Sequence, residues 1–231
     1  MPTEAFMGCS SLTFDFNELP STIRFINDKA FKNCSSLVLD SLPINLITIG
    51  EEAFMNCTSY SVNLVIPGTV TSIDKAAFRH TPITDFTLSS QMDSIEEELF
   101  YDCDSLTKIT IPSYIKDVHK KAFYDCDSVY RIDIEDGVDT IWYQAFEGCH
   151  AEYQFIPTSV TTIYGFAFYF SGIVRIYTPY GFTKYAGQGK NGLPSGWSVY
   201  FSGYDYDTVE SAVIINGGYS RSSFMNERGW E

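Results

Sequence analysis

The chain has 231 residues, of which 45% are hydrophobic and 16% aromatic, and this composition excludes an intrinsically disordered protein. Its formal net charge of −14 leaves no basic surface for phosphate groups, which argues against nucleic-acid binding. No run of about 18 apolar residues occurs, so no membrane insertion is predicted. The first residues also lack the basic start and apolar stretch of a secretory signal.

A phenylalanine recurs along the chain at intervals of 22 to 25 residues. Alanine precedes it in every case except one, where Leu99 precedes Phe100. Self-similarity at such a period is typical of solenoids, in which each coil covers the apolar side chains of the next. The recurring residues are Phe6, Phe31, Phe54, Phe78, Phe100, Phe123, Phe146 and Phe168.

All cysteines share one register: each falls three residues after a recurring phenylalanine, and Thr81 and Ser171 hold that slot in the two remaining repeats. The shared register predicts a column of small, buried free thiols. A disulfide framework is the alternative, since neighbouring coils would bring cysteines near bridging distance. A zinc site is disfavoured because no closely spaced cysteine pair occurs. The cysteines are Cys9, Cys34, Cys57, Cys103, Cys126 and Cys149.

Between one phenylalanine and the next, the chain contains two extended segments. The first has apolar residues at alternating positions and often ends at proline, as in Leu106 to Pro112, which predicts a strand with one buried face. Proline ends the strand because it offers no N–H group to a sheet. The second segment carries two apolar residues three positions apart, for example Ile115 and Val118.

In chain order, the first three strand segments are irregular and read LTFDFNELP, LVLDSLP and YSVNLVIP. Regular segments follow at 83–88, 106–111 and 129–134, the seventh reads AEYQFIP and is one residue shorter, and the eighth begins at Ile173. The coils together therefore predict one parallel sheet along the stack, with its register least certain in the irregular repeats.

The unit L-x-x-I-x-I-P…V-x-x-I…A-F-x-x-C resembles the BspA-like, or Treponema pallidum-type, leucine-rich repeat family over about residues 1–179. The stretch IYTPYGFTKYAGQGKNGLPSGWSVYF is similar to the family's terminal segment. The resemblance implies an α/β repeat solenoid, a right-handed horseshoe with short parallel strands on its concave face and irregular or short helical segments opposite. It also implies an extracellular or cell-surface protein, monomeric and without cofactors, that binds a host or matrix protein.

The period divides the chain into three parts. Residues 1–179 hold about eight repeats of 22–25 residues, 180–202 are expected to cap the C-terminal end of the stack, and 203–231 fall outside the period. Within the last part, ESAVIINGGYS could pair as one more strand, and RSSFMNERGWE is expected to be a frayed tail. Because PTEAFMGC matches the second half of a repeat, the chain is expected to be a fragment of a longer protein.

Residues between the buried positions of the strands point outward on the concave side of such a solenoid. In the C-terminal half, tyrosine and arginine accumulate at these positions although the chain as a whole is acidic, and both types are enriched in protein–protein hot spots. Strand propensity alone would also place tyrosine on a sheet. The predicted ligand-binding residues are Lys108, Tyr130, Arg131, Asp133, Tyr153, Arg175 and Tyr177.

The remaining polar residues form no recognisable catalytic arrangement. The three histidines lie in different repeats and the period assembles no Ser–His–Asp group, so no enzymatic activity is predicted. A weak calcium site among Asp102, Asp104, Asp125 and Asp127 is an alternative to a solvated acidic face, although the spacing of a calcium-binding loop is absent.

The sequence therefore favours a non-enzymatic protein-binding or adhesion module that presents its strand surface to a partner. A structural component of a surface layer or virus particle is a second hypothesis, and glycan binding through exposed tyrosines is a third. Self-association would favour the structural role, whereas a monomer that captures proteins would favour adhesion.

Overall fold

The computed structural model describes residues 1–13, 15–59, 62–151, 153–164 and 166–168, the backbone of the strands at 175–178 and 213–216, and residues 225, 226 and 229. In these residues the chain winds as a parallel-strand solenoid with almost no helix, which confirms the predicted repeat fold. The segment 180–202, predicted to be a cap, lies outside the described residues.

The coils contribute to two rows of parallel strands, the first two coils to the row of short strands only. The short strands, which contain the second apolar segment of the repeat, are β1 (Phe25–Ile26), β2 (Thr48–Ile49), β4 (Ser72–Ile73), β6 (Ser94–Ile95), β8 (Asp117–Val118), β10 (Thr140–Ile141) and β12 (Thr162–Ile163). The long strands are β3 (Val62–Val65), β5 (Ile83–Thr87), β7 (Lys108–Ile111), β9 (Arg131–Ile134), β11 (Tyr153–Phe155), β13 (Arg175–Thr178) and β14 (Val213–Asn216).

The long strands pair in parallel as β3 with β5, β7 with β9, β11 with β13, and β13 with β14. Contacts between β5 and β7 and between β9 and β11 continue the row. Strand β14 lies within the stretch ESAVIINGGYS, and Ile215 stands opposite Tyr177 of β13. A segment outside the 23-residue period therefore adds a strand to the same sheet.

In the first coil, a 3-10 helix at Phe16–Glu18 stands where the third and later coils have a long strand. Asp15 caps this helix by accepting a hydrogen bond from the N–H of Asn17 at 2.7 Å. Phe16 is buried and packs edge-on against Phe31, with 5.5 Å between the ring centroids. One ring thus fills core volume that alternating aliphatic residues fill in regular coils.

The recurring phenylalanines form a single stack through the solenoid. Successive ring centroids lie 5.2 to 5.9 Å apart and the rings are nearly parallel. From Phe31 to Phe146 these side chains have no exposed surface. The stack therefore joins each coil to the next through the most apolar side chain of the repeat.

The cysteine column lies beside this stack, and all six thiols are free. Each buried cysteine donates its S–H to the carbonyl oxygen of the phenylalanine one coil earlier; Cys126 Sγ, for example, lies 3.1 Å from the oxygen of Phe100. Burial raises the pKa of Cys57 to about 12, so the thiol stays protonated and remains a donor. The prediction of buried free thiols is confirmed for five cysteines, and the disulfide alternative is wrong.

Cys9 is the exception, because it is exposed. It lies in the first described coil, whereas each buried thiol donates to a phenylalanine carbonyl of the coil before its own. The expectation that every cysteine is buried is therefore wrong at this position: burial of the thiol requires the preceding coil.

The recurring phenylalanine also lies at the centre of a ladder of backbone hydrogen bonds. Its N–H, and those two residues before and after it, donate to carbonyl oxygens of the next coil; Lys29, Phe31 and Asn33 do so at 2.8 Å each. The two flanking residues have positive φ, as at Asn33 with 63° and Asp102 with 56°. In the first seven repeats, the residue two positions after the phenylalanine is Asn, Asp, His or Gly, and these types tolerate that conformation best.

Gln154 is a polar residue at a core position of β11. It has no exposed surface, its Nε2 donates to the carbonyl oxygen of Phe155 at 2.7 Å, and its Oε1 has no hydrogen-bond partner among the described residues. On the next strand it stands opposite Ile176. The short, irregular seventh repeat thus places an amide where regular repeats have isoleucine.

Replacing Gln154 with leucine should increase the free energy of unfolding by about 1–2 kcal/mol, because an unsatisfied buried carbonyl costs about that much. Glutamate at the same position should destabilise the protein, since it would bury a charge. Urea denaturation followed by circular dichroism would measure both variants. A leucine variant less stable than the wild type would contradict the inference that the unpaired Oε1 of Gln154 destabilises the folded state.

Candidate functional site

The outward surface of strands β3, β5, β7, β9 and β11, called here the sheet face, carries the predicted binding residues. Lys108 of β7 is exposed, and its Nζ lies 2.9 Å from Oδ2 of Asp85 on β5. In the next strand, Arg131 stands opposite Lys108. The register of the sheet therefore lines up an acidic side chain and two basic ones across three coils.

Tyr130 lies immediately before β9 and is 61% exposed, which makes it one of the most exposed large side chains in the described residues. Its N–H donates to the carbonyl oxygen of Thr107 in the preceding coil at 3.0 Å. The backbone at this point is thus fixed while the ring extends into solvent, as a binding anchor requires.

Asp133 departs from its predicted position on an open surface. Its alternation along β9 is as predicted, since Ile132 and Ile134 are buried on the core side. Asp133 is nevertheless only 6% exposed, whereas Thr110, its partner on β7, is exposed. The prediction that Asp133 is exposed is therefore wrong, although its side chain lies on the outward side of the sheet as predicted.

The structure describes the other predicted binding residues, Tyr153, Arg175 and Tyr177, by their backbone. Tyr153 stands opposite Arg175, and Phe155 stands opposite Tyr177. Because Gln154 faces the core, Phe155 belongs to the other side of the sheet. The register thus aligns these positions with the rest of the sheet face, and their participation in binding stays a prediction.

A cluster of aromatic and basic side chains on the other side of the coils escaped the sequence analysis. The guanidinium of Arg79 lies 4.1 Å from the ring centroid of Tyr101, which stacks on Tyr124 at 4.8 Å. Lys121 Nζ lies 4.8 Å from the ring centroid of Tyr124. Burial and the neighbouring Glu147 carboxylate raise the pKa of Tyr124 to about 12.

The repeat register contained the signal for that cluster, because Arg79, Tyr101 and Tyr124 each follow a recurring phenylalanine directly. A second ladder stacks His119, Trp142 and Tyr164, with ring centroids 5.6 and 4.5 Å apart. Stacking covers both faces of the indole, so these rings stabilise the succession of coils rather than offering a flat platform.

An open groove of about 530 Å³ runs along the residues that follow the recurring phenylalanines by two positions. Asn56 Nδ2 donates to Asn33 Oδ1 at 2.7 Å, and His80 Nδ1 lies 2.8 Å from Asp102 Oδ2. These contacts link consecutive coils. Among the described residues, no group of three or more His, Cys, Asp or Glu side chains could hold a metal ion, so the calcium alternative finds no ligand set there.

Crowded carboxyl groups along this groove have raised pKa values. Burial first, and then the charges of Asp102 and Asp127, raise the pKa of Asp104. Burial and the same two neighbours raise the pKa of Asp125. Away from the groove, burial also raises the pKa of Asp74. A carboxyl group whose pKa is higher in the folded state than in the unfolded state destabilises the fold at neutral pH, and that cost disappears as the group takes up a proton.

We therefore expect the thermal midpoint of unfolding to rise as the pH is lowered from neutral towards the unfolded aspartate pKa of about 4, because carboxyl groups with raised pKa bind protons in the folded state before they do so in the unfolded state. Replacing Asp104 with asparagine should raise the midpoint at neutral pH and flatten the pH dependence. Differential scanning calorimetry at several pH values would measure both effects. A midpoint that falls steadily on acidification would contradict this prediction.

Among the described residues, no helix is long and apolar enough to cross a membrane. A family model described as a BspA type leucine rich repeat region matches in six copies that span residues 1–129 and 93–188. No curated protein matches the chain.

Two crystal structures of bacterial proteins share the fold. A leucine-rich repeat protein from Bacteroides ovatus superposes with a TM-score of 0.72 at 20% identity, over 94% of this chain and 58% of that one. The T. pallidum leucine-rich repeat protein superposes with a TM-score of 0.52 at 23% identity, over 80% of this chain and 78% of that one. The chain thus spans little more than half the length of the Bacteroides protein.

Proposed function

The chain belongs to the BspA type leucine-rich repeat family, and from this premise we propose that it is an adhesion module of a surface or secreted protein that binds a host or matrix protein on its sheet face. The repeat fold indicates a protein-binding module, and such folds are typically non-enzymatic. The adhesion role, the surface or secreted location and the host or matrix partner are the parts that we propose.

The observation that carries the proposal is the row of outward side chains centred on β7 and β9. Lys108 and Tyr130 are exposed beside strands β7 and β9, which are hydrogen-bonded to each other and supported by a fully buried core. A rigid base lowers the entropy lost on association, because only the side chains must be ordered. Tyrosine beside a basic group is also the composition of many binding hot spots.

The experiment is capture of matrix proteins by the full chain. Fibronectin, laminin and collagen would be immobilised separately and the chain passed over each in biolayer interferometry. The double variant Lys108→Ala, Tyr130→Ala should weaken capture at least about tenfold, as expected when hot-spot side chains are truncated. Its thermal midpoint should remain that of the wild type, since both side chains lie on the surface.

A matched control lies on the opposite side of the coils, where Lys120 and Tyr143 are also exposed, the tyrosine at 40%. The double variant Lys120→Ala, Tyr143→Ala changes the same two residue types and should bind as the wild type does. Equal loss of capture in both double variants, or capture by neither the wild type nor its control, would contradict binding on the sheet face. Size-exclusion chromatography with light scattering should show a monomer; an ordered oligomer would favour the structural hypothesis instead.

A further inference from the structure

The sheet face is open on one strand and covered on the next two. On β7, Lys108 and Thr110 are exposed. On β9, Asp133 is 6% exposed, and on β11, Phe155 is 4% exposed although it points away from the core. Neighbouring side chains of the sheet, or another part of the molecule, must therefore cover this carboxylate and this ring.

Met225 is the described residue that reaches this surface from outside the repeats. It is 4% exposed, and its Sδ lies 4.0 Å from Nη2 of Arg131, 94 residues earlier in the chain. The next residue, Asn226, is exposed, so the methionine side chain is turned inward at a point where its neighbour faces solvent. Met225 therefore has a defined contact with the repeats, and the frayed tail stays a prediction.

The chemistry of this contact suits a short peptide. A thioether is flexible, apolar and a weak acceptor, so it adapts to an uneven surface. Arg131 offers the methylene groups of its stem as apolar surface. Its Nη2 also lies 3.9 Å from Oδ2 of Asp133, so the basic group is balanced within the sheet face.

We propose that the outward surface of β9 and β11 is a docking site for a peptide segment with an exposed apolar side chain, and that the chain's own C-terminal segment occupies it through Met225. This inference rests on the proposed function, because it concerns the same sheet face. The C-terminal segment then acts as an internal competitor, and a partner protein must displace it before it can use the whole face. A tethered segment has an effective concentration in the millimolar range, about 100 times that needed to half-saturate a site of about 10 μM affinity.

The test uses the full-length chain and a labelled synthetic peptide with the sequence of residues 219–231. In fluorescence polarisation, the Met225→Asp chain should bind this peptide at least about tenfold more tightly than the wild-type chain, whose site is already occupied. The same peptide carrying aspartate in place of methionine should not bind. Met225→Ala should give a smaller gain in the same direction, and it serves as the second variant if aspartate disturbs folding.

The matched control is Met7→Asp, at a methionine that is 43% exposed in the first coil, and it should bind the peptide as weakly as the wild type. Equal peptide binding by the wild-type and both Met225 variants would overturn the proposal. The two proposals fail separately: peptide binding by Met225→Asp without capture of any matrix protein leaves the docking site standing and removes the adhesion role. Capture that depends on Lys108 and Tyr130 but is unchanged in Met225→Asp supports the adhesion role and contradicts occupation of the sheet face by the C-terminal segment.

Discussion

Replacing Phe100 with alanine should lower the free energy of unfolding by about 3–5 kcal/mol, the usual cost of removing a buried aromatic ring from a core. Phe100 has no exposed surface and stacks against Phe78 and Phe123, and Phe86 approaches it to 4.7 Å between ring centroids. The rigid backbone ladder on both sides of Phe100 prevents the coils from closing over the cavity. Urea denaturation followed by circular dichroism would measure the loss.

Phe6→Ala is the matched control, because Phe6 belongs to the same stack but is only partly buried at its first position. It stacks on Phe31 at 5.4 Å, and we expect it to lose less than half as much stability as Phe100→Ala. Similar small losses in both variants would show that the stack is not the element that joins the coils.

Replacing Cys103 with aspartate should destabilise the protein by about 3–5 kcal/mol at neutral pH, the range found when a charge is left buried without a partner. Cys103 has no exposed surface, and its Sγ lies 3.3 Å from the carbonyl oxygen of Phe78. A thiol donates to that oxygen, whereas an ionised carboxylate cannot donate and would be repelled by it. Thermal and urea denaturation would both report the change.

The loss should depend on pH in a defined direction. Burial would raise the pKa of the introduced carboxyl group above its unfolded value of about 4, so the penalty relative to the wild type should shrink as the pH falls from neutral towards that value. The control is Cys103→Thr, because Thr81 holds the same slot one coil earlier, 2% exposed, with its hydroxyl 2.6 Å from the oxygen of Phe78. Threonine should cost about 1 kcal/mol or less. A penalty for aspartate that does not change with pH would contradict a buried carboxylate.

The repeat period predicted the core because burial in a solenoid is a property of the register. Once Phe123 and Cys126 are assigned to a column, every equivalent residue follows, and most of them are buried as expected. Cys9 shows the limit of this reasoning, since its surroundings depend on a neighbouring coil rather than on its own repeat. Gln154 shows another, because an irregular repeat gave no reason to expect an amide in the core.

The candidate site was predicted in part, for a similar reason. Alternation along β9 correctly placed Arg131 and Asp133 on the outward side of the sheet. It could not show that Met225 contacts Arg131, because no periodic pattern links the C-terminal segment to a coil about four repeats earlier. The contact between Arg79 and Tyr101 was not predicted, although the two residues share a register. The repeat pattern identifies the buried positions, whereas the residue type directly after the phenylalanine varies from repeat to repeat.

The backbone ladder around the phenylalanines has a fixed direction along the solenoid. In coil after coil, three amide groups around the phenylalanine donate towards the following coil. The short strands donate in the opposite direction, towards the preceding coil, as Trp142 does to Val118. The carbonyl ends of the ladder amides point towards the first coil and the N–H ends towards the last. Any further coil, whichever chain supplies it, can therefore extend the ladder only head to tail.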